Sequence, residues 1–96
     1  ETCKLRTLIH QSPPILIIHL KRFKYEDKYL VKLEHHIKFD FELNLSEYAT
    51  GSKISNYELF AVTCHMGSGT QGHYVSYVMR QHPIDNTILW VLYDDD

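Results

Sequence analysis

The last forty residues of the chain, 57–96, predict three successive β-strands joined by two short connections. The segments 57–64, 74–79 and 88–93 are rich in the aromatic and β-branched residues that strands favour. Connections this short join antiparallel neighbours, because parallel strands need a longer crossover. We therefore expect an antiparallel meander, with a glycine-rich loop between its first two strands and a turn at residues 83–86 between its last two.

The first half of the chain adds further strand-like segments and little helix. Residues 15–20 form an apolar, β-branched run without alternation, which predicts a strand buried on both faces. Residues 29–34 predict another strand, and residues 35–41 alternate apolar and polar side chains as half-buried strands do. Only residues 45–49 indicate a helical turn. The predicted fold class is therefore mostly antiparallel β.

Composition predicts a small globular protein inside the cell. Its 96 residues suffice for one domain with a modest core, and 44% hydrophobic residues separate it from disordered segments. A net charge of -2 argues against nucleic acid or an anionic membrane as partner, and no apolar run approaches the ~20 residues of a membrane span. Cys3 and Cys64 do not make a disulfide framework, so we expect a reducing compartment, the cytoplasm and/or the nucleus.

The glycine-rich loop imitates a nucleotide-binding motif. Gly67, Gly69 and Gly72 match the spacing G-x-G-x-x-G of dinucleotide-binding loops. In those loops a helix follows, and its N-terminus receives the phosphates, whereas residues 73–78 predict a strand here. We therefore reject nucleotide binding. Glycines also let another backbone approach closely, so the loop is either a flexible hairpin tip or a mobile segment lying over an extended peptide.

The predicted hairpin brings a histidine towards the acidic run at the end of the chain, residues 94–96. If Arg80 pairs with Ile88, His73 lies opposite Asp95, and a register shifted by one places it opposite Asp94. Opposed side chains have Cβ atoms ~4.5–5.5 Å apart, within reach of a hydrogen bond. Such a pair holds a general base in one tautomer for a Ser or Cys nucleophile. The alternative is an exposed histidine beside a solvated terminus.

Three segments, in order, resemble the ubiquitin-specific proteases, the papain-like deubiquitinating enzymes. The run ILIIHLKRF at residues 15–23 resembles the family's strand that ends in LKRF. Residues 57–77, with YELFAV, HMG and GHYVSY, resemble its histidine box, and WVLYDD at residues 90–95 resembles its closing motif. Together they extend over nearly the whole chain. The resemblance implies the sheet-bearing, histidine-box half of a papain-like, α+β cysteine-protease fold.

The resemblance also implies a role for each matching position. His73 would be the general base, Asp94 the acid that orients it, and Asp95 a second polar residue beside the site. Residues 65–72 would form a loop that shifts as the tail of ubiquitin enters. The implied substrate-binding positions are His65, Met66, Gly67, Gly72 and Tyr74. Acidic residues either line the approach of the basic tail or are plain solvated surface: Asp40, Glu42 and Glu58.

The family's nucleophile has no counterpart in this sequence. It lies upstream, at the start of a helix, a setting that lowers the pKa of a thiol and that neither Cys3 nor Cys64 offers. We expect no cofactor and no metal, since zinc-binding CxxC pairs are missing and adjacent His35 and His36 would face opposite sides of a strand. We therefore expect residues 1–96 to be the C-terminal portion of a catalytic domain whose nucleophile-bearing half is absent.

The implied function is thiol-dependent hydrolysis of the bond after the C-terminal glycine of ubiquitin. This chain would supply the base and its acid, and it would be inactive alone. The expected partners are ubiquitin or a ubiquitinated protein and the N-terminal, cysteine-bearing half of the domain, with neither nucleic acid nor membrane. Two alternatives remain open: a pseudoenzyme that binds ubiquitin without cleaving it, and a β-rich interaction module that pairs through exposed sheet edges.

Overall fold

The computed structural model describes residues 3–51 and 55–95, and all regular elements of these residues are strands. The strands are β1 (Phe23–Glu26), β2 (Tyr29–Lys32), β3 (Glu42–Asn44), β4 (Asn56–Glu58), β5 (Ala61–Gly67), β6 (Gly72–Gln81) and β7 (Ile88–Tyr93). All of them pair in antiparallel fashion, which confirms the predicted fold class. Among the described residues no helix is long and apolar enough to cross a membrane. Asp96, the third residue of the acidic run, lies outside the described residues.

The chain divides into two compact units. One comprises the described residues of Glu1–His19 and Phe39–Leu59, and the other those of Leu20–Lys38 and Phe60–Asp96. The first unit contains the pair β3 and β4, in which Leu43 lies opposite Tyr57. The second contains the hairpin of β1 with β2 and a three-stranded sheet in the order β5-β6-β7.

The three-stranded sheet is the predicted meander. Its first hairpin closes at the pair Gly67 and Gly72, and its second hairpin closes through residues 83–86. Val75, in the middle strand, is only 5% exposed, and it pairs with Cys64 of β5. His73 lies at one end of β6. The meander therefore fixes the position of this end relative to the end of β7.

The strand predicted at residues 29–34 is present as β2, but its partner β1 was not predicted. A two-residue turn joins the two strands, with Asp27 at a φ of 46° and Lys28 at 72°. Two residues of positive φ make the turn whose twist suits a tight hairpin, although glycine or asparagine is more usual there. The four residues of β1 alternate aromatic and charged side chains, in the shortest run for which such alternation indicates a strand.

Residues 45–49 form a single turn rather than a helix. The Tyr48 amide donates to the Leu45 carbonyl at 2.9 Å, and the Ser46 amide donates to the side-chain oxygen of Asn44 at 2.8 Å. The chain then passes to an isolated bridge between Ala49 and Ile9, so the helix does not continue. Leu45 is one of the few buried apolar side chains.

The structure contradicts the prediction of a buried strand at residues 15–20. This run is irregular, and Ile15, Ile17 and Ile18 are exposed, Ile17 by 86%. A strand in the interior of a sheet needs a ladder on both sides. Within the residues that the structure describes, no strand pairs with this run, so its apolar side chains stay at the surface.

The prediction of a half-buried strand at residues 35–41 is also wrong. Residues 33–40 are irregular, and the three apolar side chains of the alternating pattern, Ile37, Phe39 and Phe41, are exposed. The His35 carbonyl accepts a hydrogen bond from the Arg22 guanidinium instead of from a neighbouring strand. Alternation describes which side chains share a face, but it does not provide a partner strand.

The strand predicted at residues 57–64 is divided between the two units. The Leu59 amide donates to the Phe41 carbonyl at 2.8 Å, and the Phe60 carbonyl accepts from the Met79 amide at the same distance. The chain thus leaves one sheet at Leu59 and enters the next at Phe60. A continuous alternating pattern cannot reveal this change, because each half keeps its own period of two.

Candidate active site

The glycine-rich loop between β5 and β6 is a compact turn held by Ser68. The Ser68 amide donates to the Gln71 carbonyl at 2.7 Å, and the Ser68 hydroxyl accepts from the Gln71 amide at 3.1 Å. Gly67, at a φ of 116°, occupies a conformation that other residues rarely adopt. A strand, β6, starts at Gly72, so the loop lacks the helix N-terminus that a dinucleotide-binding loop provides.

His73 and Asp94 meet at the end of this sheet. His73 Nε2 lies 2.5 Å from Asp94 Oδ1, a hydrogen bond between side chains that are 35% and 36% exposed. His73 is the second residue of β6, and Asp94 follows the last residue of β7. The carboxylate holds the imidazole in one orientation, and 35% of the His73 side chain remains exposed.

The register that delivers Asp94 differs by one residue from the predicted one. Arg80 pairs with Leu89 rather than with Ile88. The His82 amide donates to the Thr87 carbonyl at 2.7 Å and closes the predicted turn at residues 83–86. Turn length sets the register of a hairpin, and a pairing of Arg80 with Ile88 would leave room for only three residues in this turn, so the assumed pairing did not agree with the predicted turn.

Strand alternation explains why the carboxylate is Asp94 rather than Asp95. Tyr77 lies opposite Leu92, so the face that contains Tyr77 and His73 also contains Leu92 and Asp94. Asp95 falls on the alternate face. We call the first face the His73 face and the alternate one the His65 face. Asp94 is a diagonal neighbour of His73, a position that longer side chains can span.

The implied substrate-binding residues divide between these two faces. Met66 pairs with His73 and shares its face. The pairs Gly67 with Gly72 and His65 with Tyr74 belong to the His65 face. There, a cavity of about 310 Å³ lies between the glycine-rich loop and the β1–β2 hairpin. It is lined by Phe23, Leu30, His65, Ser68, Gly69, Thr70, Gln71, Gly72 and Tyr74.

Comparison with known proteins identifies the family of the chain. The sequence model of the family described as ubiquitin carboxyl-terminal hydrolase matches residues 2–96. The chain belongs to the ubiquitin carboxyl-terminal hydrolase family. This finding confirms the family that the sequence motifs indicated.

Two relatives extend the comparison to complete proteins. The chain is 40% identical over 99 residues to ubiquitin carboxyl-terminal hydrolase 4 of Arabidopsis thaliana. The aligned segment covers 100% of the chain and 26% of that protein. The chain is 43% identical over 91 residues to ubiquitin carboxyl-terminal hydrolase 9 of Saccharomyces cerevisiae, and the aligned segment covers 92% of the chain and 11% of that protein. The chain thus spans about a quarter of the first relative and a smaller share of the second.

Neither cysteine of this family member has the surroundings of an activated nucleophile. Cys3 is exposed in an irregular segment, and Cys64 is half-buried in β5, where it pairs with Val75 on the His73 face. No helix N-terminus adjoins either thiol in the described part of the chain. Within the same residues, no group of three or more His, Cys, Asp or Glu side chains is placed to bind a metal ion.

The acidic residues suggested for the approach of the ubiquitin tail are all exposed. Glu42 lies directly opposite Glu58 in the ladder of β3 with β4, and Asp40 precedes that ladder in an irregular segment. These three belong to the first unit, whereas His73 belongs to the second.

Three residues near the site were not among the implied substrate-binding positions, although they lie in the region from Phe23 to about Phe41, in which the resemblance implies another loop near the ubiquitin channel. Lys32 donates from Nζ to the carbonyls of His65 at 3.0 Å and Gly67 at 3.1 Å, and Phe23 and Leu30 line the cavity. All three come from the β1–β2 hairpin, more than thirty residues before the loop in sequence. No local pattern marks such distant contacts.

Proposed function

We propose that this chain supplies the general base, His73, and its orienting acid, Asp94, for thiol-dependent hydrolysis of the bond after the C-terminal glycine of ubiquitin. The observation that carries the proposal is the hydrogen bond of 2.5 Å between His73 Nε2 and Asp94 Oδ1. Membership of the ubiquitin carboxyl-terminal hydrolase family supports the reaction class. Both named relatives carry that activity in their names.

The hydrogen bond determines which ring nitrogen acts. When Nε2–H donates to the Asp94 carboxylate, Nδ1 keeps its lone pair and is the basic nitrogen of His73. Nδ1 takes the proton of a cysteine thiol, and the thiolate attacks the carbonyl carbon of the last glycine of ubiquitin. The imidazolium, stabilised by Asp94, then gives this proton to the departing amine, which leaves an acyl thioester. A water molecule, deprotonated by Nδ1, then attacks the thioester carbon. The C–S bond breaks, ubiquitin leaves with a free carboxylate, and the cysteine thiolate takes the proton back from the imidazolium.

The thiol comes from outside the described residues in this proposal. We infer that the N-terminal, cysteine-bearing half of the domain supplies it and that the 96-residue chain alone hydrolyses nothing. Asp95 is a second polar residue beside the site. Cys3 and Cys64 are free, as suits the intracellular setting, cytoplasm and/or nucleus, in which we propose that the reaction occurs.

The test measures hydrolysis of a fluorogenic amide at the C-terminus of ubiquitin by variants of the full-length protein. His73→Ala is expected to abolish turnover, and Asp94→Ala to lower kcat by roughly 10²-fold or more, because the ring loses its tautomer and orientation. Asp95→Ala is expected to have the smaller effect. His36→Ala is the matched control, since His36 is an exposed histidine in an irregular segment.

Three results would contradict the proposal. Full activity of His73→Ala would show that His73 is not the general base. A larger loss for Asp95→Ala than for Asp94→Ala would show that Asp94 is not the orienting acid. Activity of the 96-residue chain that is lost only in Cys64→Ala would place the nucleophile on β5. A full-length protein that binds ubiquitin without hydrolysing the amide would instead support the pseudoenzyme alternative.

A further inference from the structure

His65 is held firmly in place on the face of the β5–β6 hairpin opposite His73. Its ring centroid lies 5.3 Å from that of Phe23 in an edge-to-face arrangement and 4.7 Å from that of Tyr74, its partner across the ladder. Lys32 Nζ donates to the His65 carbonyl and so fixes its backbone as well. A ring packed between two aromatic side chains has little freedom to change rotamer.

The His65 ring occupies the space that a side chain at position 72 would need. A Cβ on Gly72 would overlap the imidazole at Nε2, Cε1 and Cδ2. Gly72 does not have a positive φ, unlike Gly67, so its backbone conformation is open to other residues. Glycine is needed at position 72 because the ring lies against its Cα, and this close approach sets where the backbone runs.

The Nδ1 atom of the ring does not explain its placement. Nδ1 of His65 is buried and has no hydrogen-bond partner in the part of the chain that the structure describes. A buried polar atom without a partner destabilises the folded chain. The ring therefore stabilises this arrangement through its flat shape and its aromatic contacts.

We propose that His65 is a positioning residue for His73, acting through Gly72. The ring bears on the Cα of Gly72 and fixes the peptide that leads into His73, whose Nε2 must stay within hydrogen-bond distance of Asp94. The inference rests on the proposed function of His73. In this inference the role of His65 is steric: its ring supports the backbone that precedes the base. His65 and Gly72 are then a matched pair, because a change at either position disturbs the contact between them.

The kinetic test uses variants of the full-length protein and the fluorogenic ubiquitin amide. His65→Ala and Gly72→Ala are each expected to lower kcat by about 10-fold or more with KM changed less than about 3-fold, because a displaced base misses its reactant. His65→Phe keeps a flat ring, so its loss of kcat is expected to be smaller than that of His65→Ala. The double variant, His65→Ala with Gly72→Ala, is expected to be no slower than His65→Ala, because the methyl group fills the space that the ring has left.

Each opposite result would overturn the proposal. A His65→Phe variant as slow as His65→Ala would mean that imidazole chemistry, rather than shape, is needed. If the double variant loses kcat by the product of the factors lost in the two single variants, the two positions act independently. A raised KM with unchanged kcat would make His65 a substrate contact instead.

A second measurement needs no activity. Hydrogen exchange of the amides at the start of β6, without substrate, is expected to accelerate in Gly72→Ala and to slow again in the double variant. If the double variant exchanges faster than Gly72→Ala, the matched pair does not exist. Failure of the proposed function would appear separately, as full activity of His73→Ala with this exchange pattern intact.

Discussion

Gly67 and Gly72 form the neck of the glycine-rich loop, and each is required for a different physical reason. Gly72 has the His65 ring against its Cα, whereas Gly67 has both a positive φ and a crowded backbone. A Cβ on Gly67 would lie 2.6 Å from the Gln71 carbonyl oxygen and 2.8 Å from the Cα of Gly72. These are backbone atoms, which cannot rotate away as a side chain can. A residue with a Cβ at position 67 would therefore force the two ends of the loop apart.

Gly67→Ala is therefore expected to loosen the loop more than a glycine change whose only problem is φ. Gly51 is the matched control, with a φ of 67° and, among the described residues, the His10 ring as the nearest neighbour of its Cβ position at 3.8 Å. We expect Gly51→Ala to cost about 1 kcal/mol and Gly67→Ala roughly 2–3 kcal/mol of local stability. Hydrogen exchange of the two loops in the full-length protein measures both. Equal acceleration in the two variants would contradict the steric argument.

At the level of the elements, the β6–β7 turn decides which residue reaches His73. Asp85 Oδ1 accepts hydrogen bonds from the Thr87 hydroxyl at 2.7 Å and from the Thr87 amide at 3.1 Å. Both bonds lower the pKa of the Asp85 carboxyl below its ordinary value of 3.8, and the bond from the Thr87 hydroxyl has the larger effect. Asn86 completes the turn at a φ of 60°, which asparagine tolerates better than most residues. A four-residue turn is thus fixed by its own side chains.

The lowered pKa gives this turn a defined dependence on pH. Because the folded pKa of Asp85 is depressed, its stabilising effect is present above the unfolded pKa near 3.8 and is lost as the pH falls through the lower, folded pKa. Thr87→Val removes the hydroxyl donor, so the pKa of Asp85 is expected to rise towards 3.8 in a carbon-detected NMR titration. Thr63→Val is the control, since the Thr63 hydroxyl bonds Ser76 instead. An unchanged Asp85 titration in Thr87→Val would contradict this cause.

Lys32 links another element, the β1–β2 hairpin, to the neck of the loop. Its Nζ donates to two carbonyls, those of His65 and Gly67. Lys32→Met is expected to destabilise this neck by about 1–2 kcal/mol, because hydrogen bonds to a charged, partly buried donor are lost. Lys24→Met is the matched control on the paired strand, where an exposed ion pair with Glu26 contributes little, about 0–1 kcal/mol. Hydrogen exchange of the loop compares the two, and equal effects would mean that Lys32 does not support it.

The sequence predicted the parts of this architecture that depend on local pattern, and it failed where distant partners decide. The meander, the strand β2 and the proximity of His73 to the acidic run follow from alternation and short connections. The register was wrong by one residue because the assumed pairing of Arg80 with Ile88 does not fit the four-residue turn at 83–86, within which Asp85 bonds to Thr87 at its end. Residues 15–20 have the composition of a buried strand, but burial depends on a neighbouring strand, and none of the described residues supplies one.

At the scale of the whole molecule, the described residues bury very few apolar side chains. Among the hydrophobic side chains of residues 3–51 and 55–95, only Leu45 and Val75 are buried, whereas Leu5, Ile17 and Ile84 are 96%, 86% and 86% exposed. Soluble proteins rarely leave large contiguous apolar patches uncovered. The relatives are far longer than the segment that matches this chain. We therefore expect the apolar run at residues 15–20 to be covered by other parts of the full-length protein.

The isolated 96-residue chain is accordingly expected to associate with itself. Apolar side chains without a cover gain free energy, about 25 cal/mol per Å² of buried surface, when two copies bury them against each other. Size-exclusion chromatography with light scattering should give a mass above that of the monomer, and replacing Ile15, Ile17 and Ile18 by Lys should shift it towards the monomer. Ile84→Lys is the control, because Ile84 is as exposed as Ile17 but lies in the β6–β7 turn, outside the apolar run. A compact monomer of the unsubstituted chain would mean that the run needs no cover, and it would weaken the expectation that another part of the domain completes this fold.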